Sequence, residues 1–327
     1  MKIKKTLLII SFSLLGICFL CNLAKTTIKK DSYKKKCDKV CSIAIFLAIA
    51  LISVSQLIME TNNNMNEGFW ENEIGKTPDL REGVTTIITT APQPSIPSPH
   101  LIVNTVKSLS LIPLFQTSPV IIGFDGCKVI NPNLDAKCKS IFSCSKYNEY
   151  KKNVKREVLK IISHAVFVEL PERGCLSSLL HRCMENVETD FVNVMQQDLP
   201  IVKKFEAKKV INAMRDNSDM DLVRYVYDKN KYHEDWTSNH CSKVLKPKTI
   251  TINDLQFTQC SQWSDTNHIA KMEHYKDIVW PNTKQFSFME HEILCYPVKH
   301  NYRKIWYLGK ISDGHYIKHT DGRNAVS

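Results

Sequence analysis

The sequence predicts an α/β fold, a doubly wound and mainly parallel sheet, preceded by one or two transmembrane helices and a stalk. Three observations predict it. From Pro119 onward, short apolar runs alternate with longer amphipathic segments, the pattern of parallel strands joined by crossover helices. Two of those runs lead into a carboxylate, Asp125 and Asp198, and open parallel sheets bind their ligands beyond the carboxyl ends of strands. Ahead of them, Thr6 to Ala24 and Cys41 to Met59 are apolar and free of charge, each close to the ~20 residues a helix needs to span a bilayer.

The elements follow in order. Val120 to Phe124 is a continuous apolar run ending in Asp125-Gly126, as a buried parallel strand reads. Tyr147 to Ile162 is an amphipathic helix, with Tyr147, Tyr150, Val154, Val158 and Ile161 on one face and lysines on the other. Ala165 to Leu170 is the next strand, and a helix around Leu176 to Asn186 follows Pro171 and Gly174. Phe191 to Met195 is a third strand, running into Gln196-Gln197-Asp198-Leu199-Pro200. Lys204 to Arg215 is a helix, Leu222 to Tyr227 a fourth strand, and a helix is expected up to Val279. Residues 61–116 read as a stalk because of Asn62 to Asn64, Thr85 to Thr90, and the prolines at 92, 94, 97 and 99. The expected domains are thus an anchor at 1–60, a stalk at 61–116 and an α/β domain at 117–327.

The net charge of +11 invites a nucleic-acid reading, but +8 of it lies in residues 1–59, so the rest of the chain offers no broad basic surface. No nucleic-acid partner is expected. Seven of those lysines lie between Lys25 and Val40, whereas Glu60, Glu67, Glu71 and Glu73 follow the second apolar stretch. By the positive-inside rule the basic loop is cytoplasmic and the remainder faces the Golgi or endoplasmic reticulum lumen, or the outside. A cleavable signal peptide is the alternative for the first stretch. Eight cysteines, at 127, 138, 144, 175, 183, 241, 260 and 295, lie beyond the anchor, a number that suits up to four disulfides in an oxidising compartment. Zinc is disfavoured by the lack of a C-x-x-C pair there.

The stretch from Asn186 to Pro200 resembles the strand and metal-and-diphosphate motif of GT-A glycosyltransferases, in particular relatives of the large family-two group. Their motif is usually Asp-x-Asp, and it holds a divalent cation against the diphosphate of a nucleotide sugar. Here Gln196 stands at the first acidic position, which leaves Asp198 as the carboxylate ligand. A hard cation on oxygen ligands would neutralise the charge that develops on the departing diphosphate. Lys284 to Leu294 resembles the later segment that presents an acidic residue to the acceptor. Glu290 matches it as general base, with His291 in place of the usual Asp. The C-terminal Ser312 to Arg323 is similar to the segment that returns a histidine to the cation.

The resemblance therefore implies a divalent cation, manganese or magnesium, held by Asp198 and His319. It implies a nucleotide-sugar donor at Asp125, Gln197 and Arg323, and a glycan or glycoprotein acceptor. Gln262 to Ala270 joins an aromatic ring to carboxylate and amide groups, as sugar recognition does, and offers Trp263 and His268 as acceptor contacts and Asp265 as a second candidate base. The rival reading is a disulfide-stapled binding module on an inactive transferase scaffold. P-loop, G-x-S-x-G and H-E-x-x-H motifs are absent from the sequence.

Overall fold

The computed structural model describes residues 83–93, 96–127, 144–227, 241, 246–310, 312 and 314–320. The chain divides into two units, Met1–Thr77 and Pro78–Ser327, and every described residue belongs to the second. Both apolar stretches of the expected anchor, the basic loop and Arg323 lie outside the described residues. Among the described residues no helix is long and apolar enough to cross a membrane.

Nine strands form one sheet in the order β3-β2-β1-β4-β8-β5-β9-β7-β6. Its core is β1 (Val84–Thr90), flanked in parallel by β2 (Val120–Phe124) and β4 (Phe191–Gln196), with β3 (Val166–Glu169) parallel beyond β2. Ile87 sits opposite Ile121 on one side and Val194 on the other. Beyond β4 the sheet becomes mixed. β8 (His268–Lys271) pairs antiparallel with both β4 and β5 (Leu222–Tyr225), and β9 (Ile305–Leu308) lies parallel to β5. The hairpin of β6 (Thr249–Ile252) and β7 (Leu255–Gln259) closes that edge.

The sheet is covered on both faces, because successive residues of a strand point to opposite sides. Ile88, Ile122 and Met195 pack with α1 (His100–Ser108), α2 (Pro113–Thr117), α3 (Cys144–Ile161) and α5 (Ala207–Asp216). Ile87, Ile121 and Val194 pack with α4 (Cys175–Met184), with Tyr275 and Val279, and with α6 (Met289–Ile293). The doubly wound architecture expected from the alternation is thus present, with an antiparallel flank that alternation alone did not reveal.

The boundary at 117 requires correction. Val84–Thr90 is buried at every position and pairs with strands on both sides, so the Thr-rich run is the middle of the sheet rather than stalk. Val84, Ile87 and Ile88 are at most 1% exposed, and full burial of such a side chain contributes about 1.5–3 kcal/mol. Leu109 to Phe115 packs on the same core. A second correction concerns Gln262 to Val279, where β8 comes first and the helical run starts only at Met272.

Disulfides join Cys127 to Cys144 and Cys241 to Cys295, whereas Cys175, Cys183 and Cys260 are buried thiols. Two bridges among the described residues therefore stand where up to four were expected.

The central position of β1 gives a direct test. A fragment of residues 117–327 should show no cooperative thermal transition by circular dichroism, while residues 78–327 should melt cooperatively. Equal melting of the two would contradict the pairing.

Candidate active-site cleft

The carboxyl ends of β1, β2 and β4 open into a cavity of about 250 Å³. Its walls include Thr89 and Thr90 from β1, Asp125 after β2, Arg173 and Leu176 from the β3–α4 turn, Gln196 to Asp198 after β4, and Asp265 and Phe288. The order of strands reverses about β1, and such a switch point is where an open α/β sheet binds its ligand.

Asp125 is 3% exposed and fully engaged. Its Oδ1 accepts the N–H groups of Gly126 and Gly174, each at 2.8 Å, and its Oδ2 lies 3.1 Å from Arg173 Nε. Burial raises its pKa above the ordinary carboxylate value, against the pull of Arg173 and the backbone N–H groups. Gly126 is what allows this approach, since a Cβ there would lie 2.0 Å from the Glu172 carbonyl carbon. Asp125 thus organises the β3–α4 turn and holds Arg173 at the cavity, a cation the sequence analysis did not single out.

Gln197 is braced similarly. Its Oε1 accepts the Thr90 hydroxyl, and the Tyr150 hydroxyl at 3.2 Å, while its Nε2 donates to Gln93 Oε1 at 2.9 Å. It lines the floor of the cavity with its amide already committed.

Asp198 and His319 meet, although 121 positions separate them. The C-terminal segment runs beside the turn after β4: Val202 N–H donates to Tyr316 O, Lys318 N–H to Pro200 O and Thr320 N–H to Asp198 O, at 2.8, 3.2 and 2.9 Å. His319 Nε2 therefore lies 3.3 Å from Asp198 Oδ2, with both side chains about four-fifths buried. Two ligands on adjacent vertices of an octahedral ion at about 2.1 Å stand ~3.0 Å apart, so the pair fits a divalent cation. Among the described residues no cluster of three or more His, Cys, Asp or Glu side chains exists. The remaining ligands would be diphosphate and water oxygens, and carboxylate with imidazole suits manganese.

Across the cavity stand Asp265 and Glu290. Burial, then the charge of Glu290, pushes the Asp265 carboxyl up to about 7, with Arg224 pulling the other way. Arg224 was also missed in the sequence. It is wholly buried in β5 and donates to Thr266 Oγ1 from Nε and Nη2, and to the Tyr307 hydroxyl at 3.0 Å. Asp265 and Glu290 supply negative charge near it. The geometry therefore gathers Asp125, Gln197, Asp198 and His319 on one side, with Asp265 and Glu290 on the other.

Two expected contacts are corrected. Trp263 and His268 are 1% and 0% exposed and lie inside the molecule, so neither ring reaches an acceptor. His268 Nε2 bonds the Tyr275 hydroxyl at 2.7 Å and Nδ1 the Thr266 carbonyl at 2.6 Å. The aromatic ring that does line the cavity is Phe288, 39% exposed and two residues before Glu290.

No protein-family model matches the chain, and no curated protein matches it. Among solved structures, it is similar to S. aureus TarS at 14% identity and TM-score 0.39, covering 73% of this chain and 36% of that one. TarS 1-349 in complex with UDP gives 14% and 0.39, covering 72% and 60%. The mannosyltransferase PcManGT from Pyrobaculum calidifontis, in complex with GDP-Man and Mn2+, gives 11% and 0.36, covering 64% and 51%. The chain spans between about a third and three fifths of the length of these proteins. Likenesses at this level carry no argument for activity, and the functional reading rests on the residues of the cleft.

The burial of His268 has a measurable consequence. Its pKa is lowered from 6.5 to about 3 by burial. The unfolded side chain takes up a proton where the folded one does not, so its contribution is full above pH 6.5 and is lost as pH falls toward 3. Denaturant unfolding of His268→Gln between pH 4 and 6 should show a slope shallower than wild type by about 1.4 kcal/mol per pH unit. Identical slopes would return His268 to the solvent-facing group.

Proposed function

We propose that this chain is a glycosyltransferase that moves a sugar from a nucleotide-sugar donor to a glycan or glycoprotein acceptor, inverting the anomeric carbon with the help of a divalent cation. The observation that carries the reading is the convergence of Asp198 and His319 with Asp125 and Arg173 at one cleft, facing Asp265 and Glu290. Asp198 and His319 would hold manganese or magnesium, which supplies charge neutralisation for the leaving diphosphate. Arg173 offers a second cation on the donor side. Glu290 takes the proton of the acceptor hydroxyl as its oxygen bonds to the anomeric carbon. The bond from that carbon to the diphosphate breaks, and the nucleoside diphosphate leaves with the electron pair. Such in-line displacement needs oriented reactants and a base, with no covalent enzyme intermediate. Asp265, poised near neutrality beside Glu290, is the alternative base.

Membrane anchoring through residues 1–60 and a lumenal cleft belong to the same proposal. The lysine-rich loop between the apolar stretches supports the orientation, and the Cys127–Cys144 and Cys241–Cys295 bridges support an oxidising side. Protease added to sealed microsomes should leave residues 78–327 intact until detergent is added. Digestion without detergent would reverse the orientation.

One observation favours the rival, a binding module on an inactive scaffold: Gln196 in the first acidic position of the motif. A screen of nucleotide sugars with manganese, following donor hydrolysis by the full chain in detergent, separates the two readings. Asp198→Asn should weaken manganese-dependent donor binding and turnover together. Glu290→Gln should leave donor binding nearly unchanged and lower transfer by about 10²–10⁴-fold. Hydrolysis of no donor, or full transfer in both variants, would favour the module.

A further inference from the structure

The turn that carries Asp198 is held from the far side of the sheet by one side chain. Asn267, 0% exposed, accepts the Gln196 N–H at Oδ1 over 2.9 Å and donates from Nδ2 to the Leu199 carbonyl over 2.7 Å. These two atoms bracket Gln196-Gln197-Asp198-Leu199, so a single rigid amide spans the motif from end to end. Asn267 is itself fixed, because its carbonyl accepts the Tyr225 N–H at 3.0 Å. Beside it, Gln196 Nε2 donates to the Asp265 carbonyl at 3.1 Å, and Arg224 grips Thr266 between Asp265 and Asn267. The backbone of the 265–267 loop and the turn after β4 thereby form one hydrogen-bonded unit.

We infer that Asn267 is a positioning residue that fixes the turn so that Asp198 meets His319 at cation-binding distance, and that Gln196 is a brace to the Asp265 loop rather than a vacant ligand position. The inference rests on the cation reading of Asp198 and His319. An amide suits both roles. Asn267 must accept at one end and donate at the other, which Asp or Leu of the same size does not do, and Gln196 must donate to a carbonyl. Leaving either buried partner unpaired costs more than a surface hydrogen bond would gain, so the unit has one arrangement. Groups that orient a metal ligand typically change metal affinity 10–100-fold when altered.

The test uses the full chain in detergent and manganese ions alone, with free manganese counted by electron paramagnetic resonance. Asn267→Asp keeps the size and one acceptor but sets a carboxylate oxygen against the Leu199 carbonyl. It should bind manganese about tenfold more weakly than wild type. Asn193→Ala is the control for general destabilisation. Asn193 is equally buried but sits mid-sheet, bonded to Tyr225 and Thr86, and its loss should lower the melting temperature while manganese affinity stays at the wild-type value. Gln196→Glu, at a half-buried position, should bind manganese no more tightly than wild type, and it decides the matter should Asn267→Asp not fold. Wild-type affinity in Asn267→Asp, an equal loss in Asn193→Ala, or a tenfold gain in Gln196→Glu would each overturn the inference. Wild-type protein that binds manganese no better than Asp198→Asn would overturn the cation reading and this inference with it.

Discussion

The parallel pairing of Val84–Thr90 with a strand on each side is the constraint on which the rest of this domain depends. A strand buried on both faces must satisfy its N–H and C=O groups through its neighbours, and β1 does so against β2 and β4. That pairing fixes where Thr90, Asp125 and Gln196 end relative to one another, because each continues a strand in register with β1. Thr90 N–H and C=O hydrogen bonding carries past the ladder: Asp125 N–H donates to Thr90 O at 2.9 Å, and Gln197 N–H to Thr89 O at 3.1 Å. The donor side of the cleft is therefore an extension of the sheet, held by the same hydrogen bonds that hold the core.

That central strand was also the least legible part of the sequence. Val-Thr-Thr-Ile-Ile-Thr-Thr reads as β-branched, yet its neighbours are prolines, and threonine-rich segments beside proline resemble linkers by composition. What rescues it is tertiary: Thr85 bonds Thr189, and Thr86 bonds Asn193, so hydroxyls that look solvated are paired inside. By contrast β2 to β5 and their helices were legible, because continuous apolar runs and i, i+3, i+4 faces report burial directly. The later strands β6 to β9 are short and depend on partners far along the chain, which no local window contains.

The candidate site divides along the same line. Asp125 and Asp198 could be read because each follows a strand, and Glu290 and His319 through resemblance. Trp263 and His268 were misjudged because sequence does not separate an aromatic in a recognition loop from one in the core. Arg173 and Arg224 had signals that went unused: a guanidinium between Pro171 and Gly174 at a strand end, and an arginine inside the apolar run Val223 to Val226. A buried arginine is costly without nearby negative charge, so the second of these pointed to acidic partners.

Those acidic partners give a physical reason for an amide at position 196. Four carboxylates already stand in or near the cleft, Asp125, Asp198, Asp265 and Glu290, against the two guanidiniums of Arg173 and Arg224. A fifth at 196 would lie beside the Asp265 loop, where the neighbouring charge of Glu290 and burial already push one carboxyl up to about 7. Each added charge in that setting raises the cost of ionising the next, and the group it would penalise most is the one that must accept a proton. The Gln196 amide instead donates to the Asp265 backbone and leaves the carboxylates divided, one set toward the cation and one toward the acceptor. On the proposed reading, the departure from Asp-x-Asp relieves charge crowding between the two halves of the reaction.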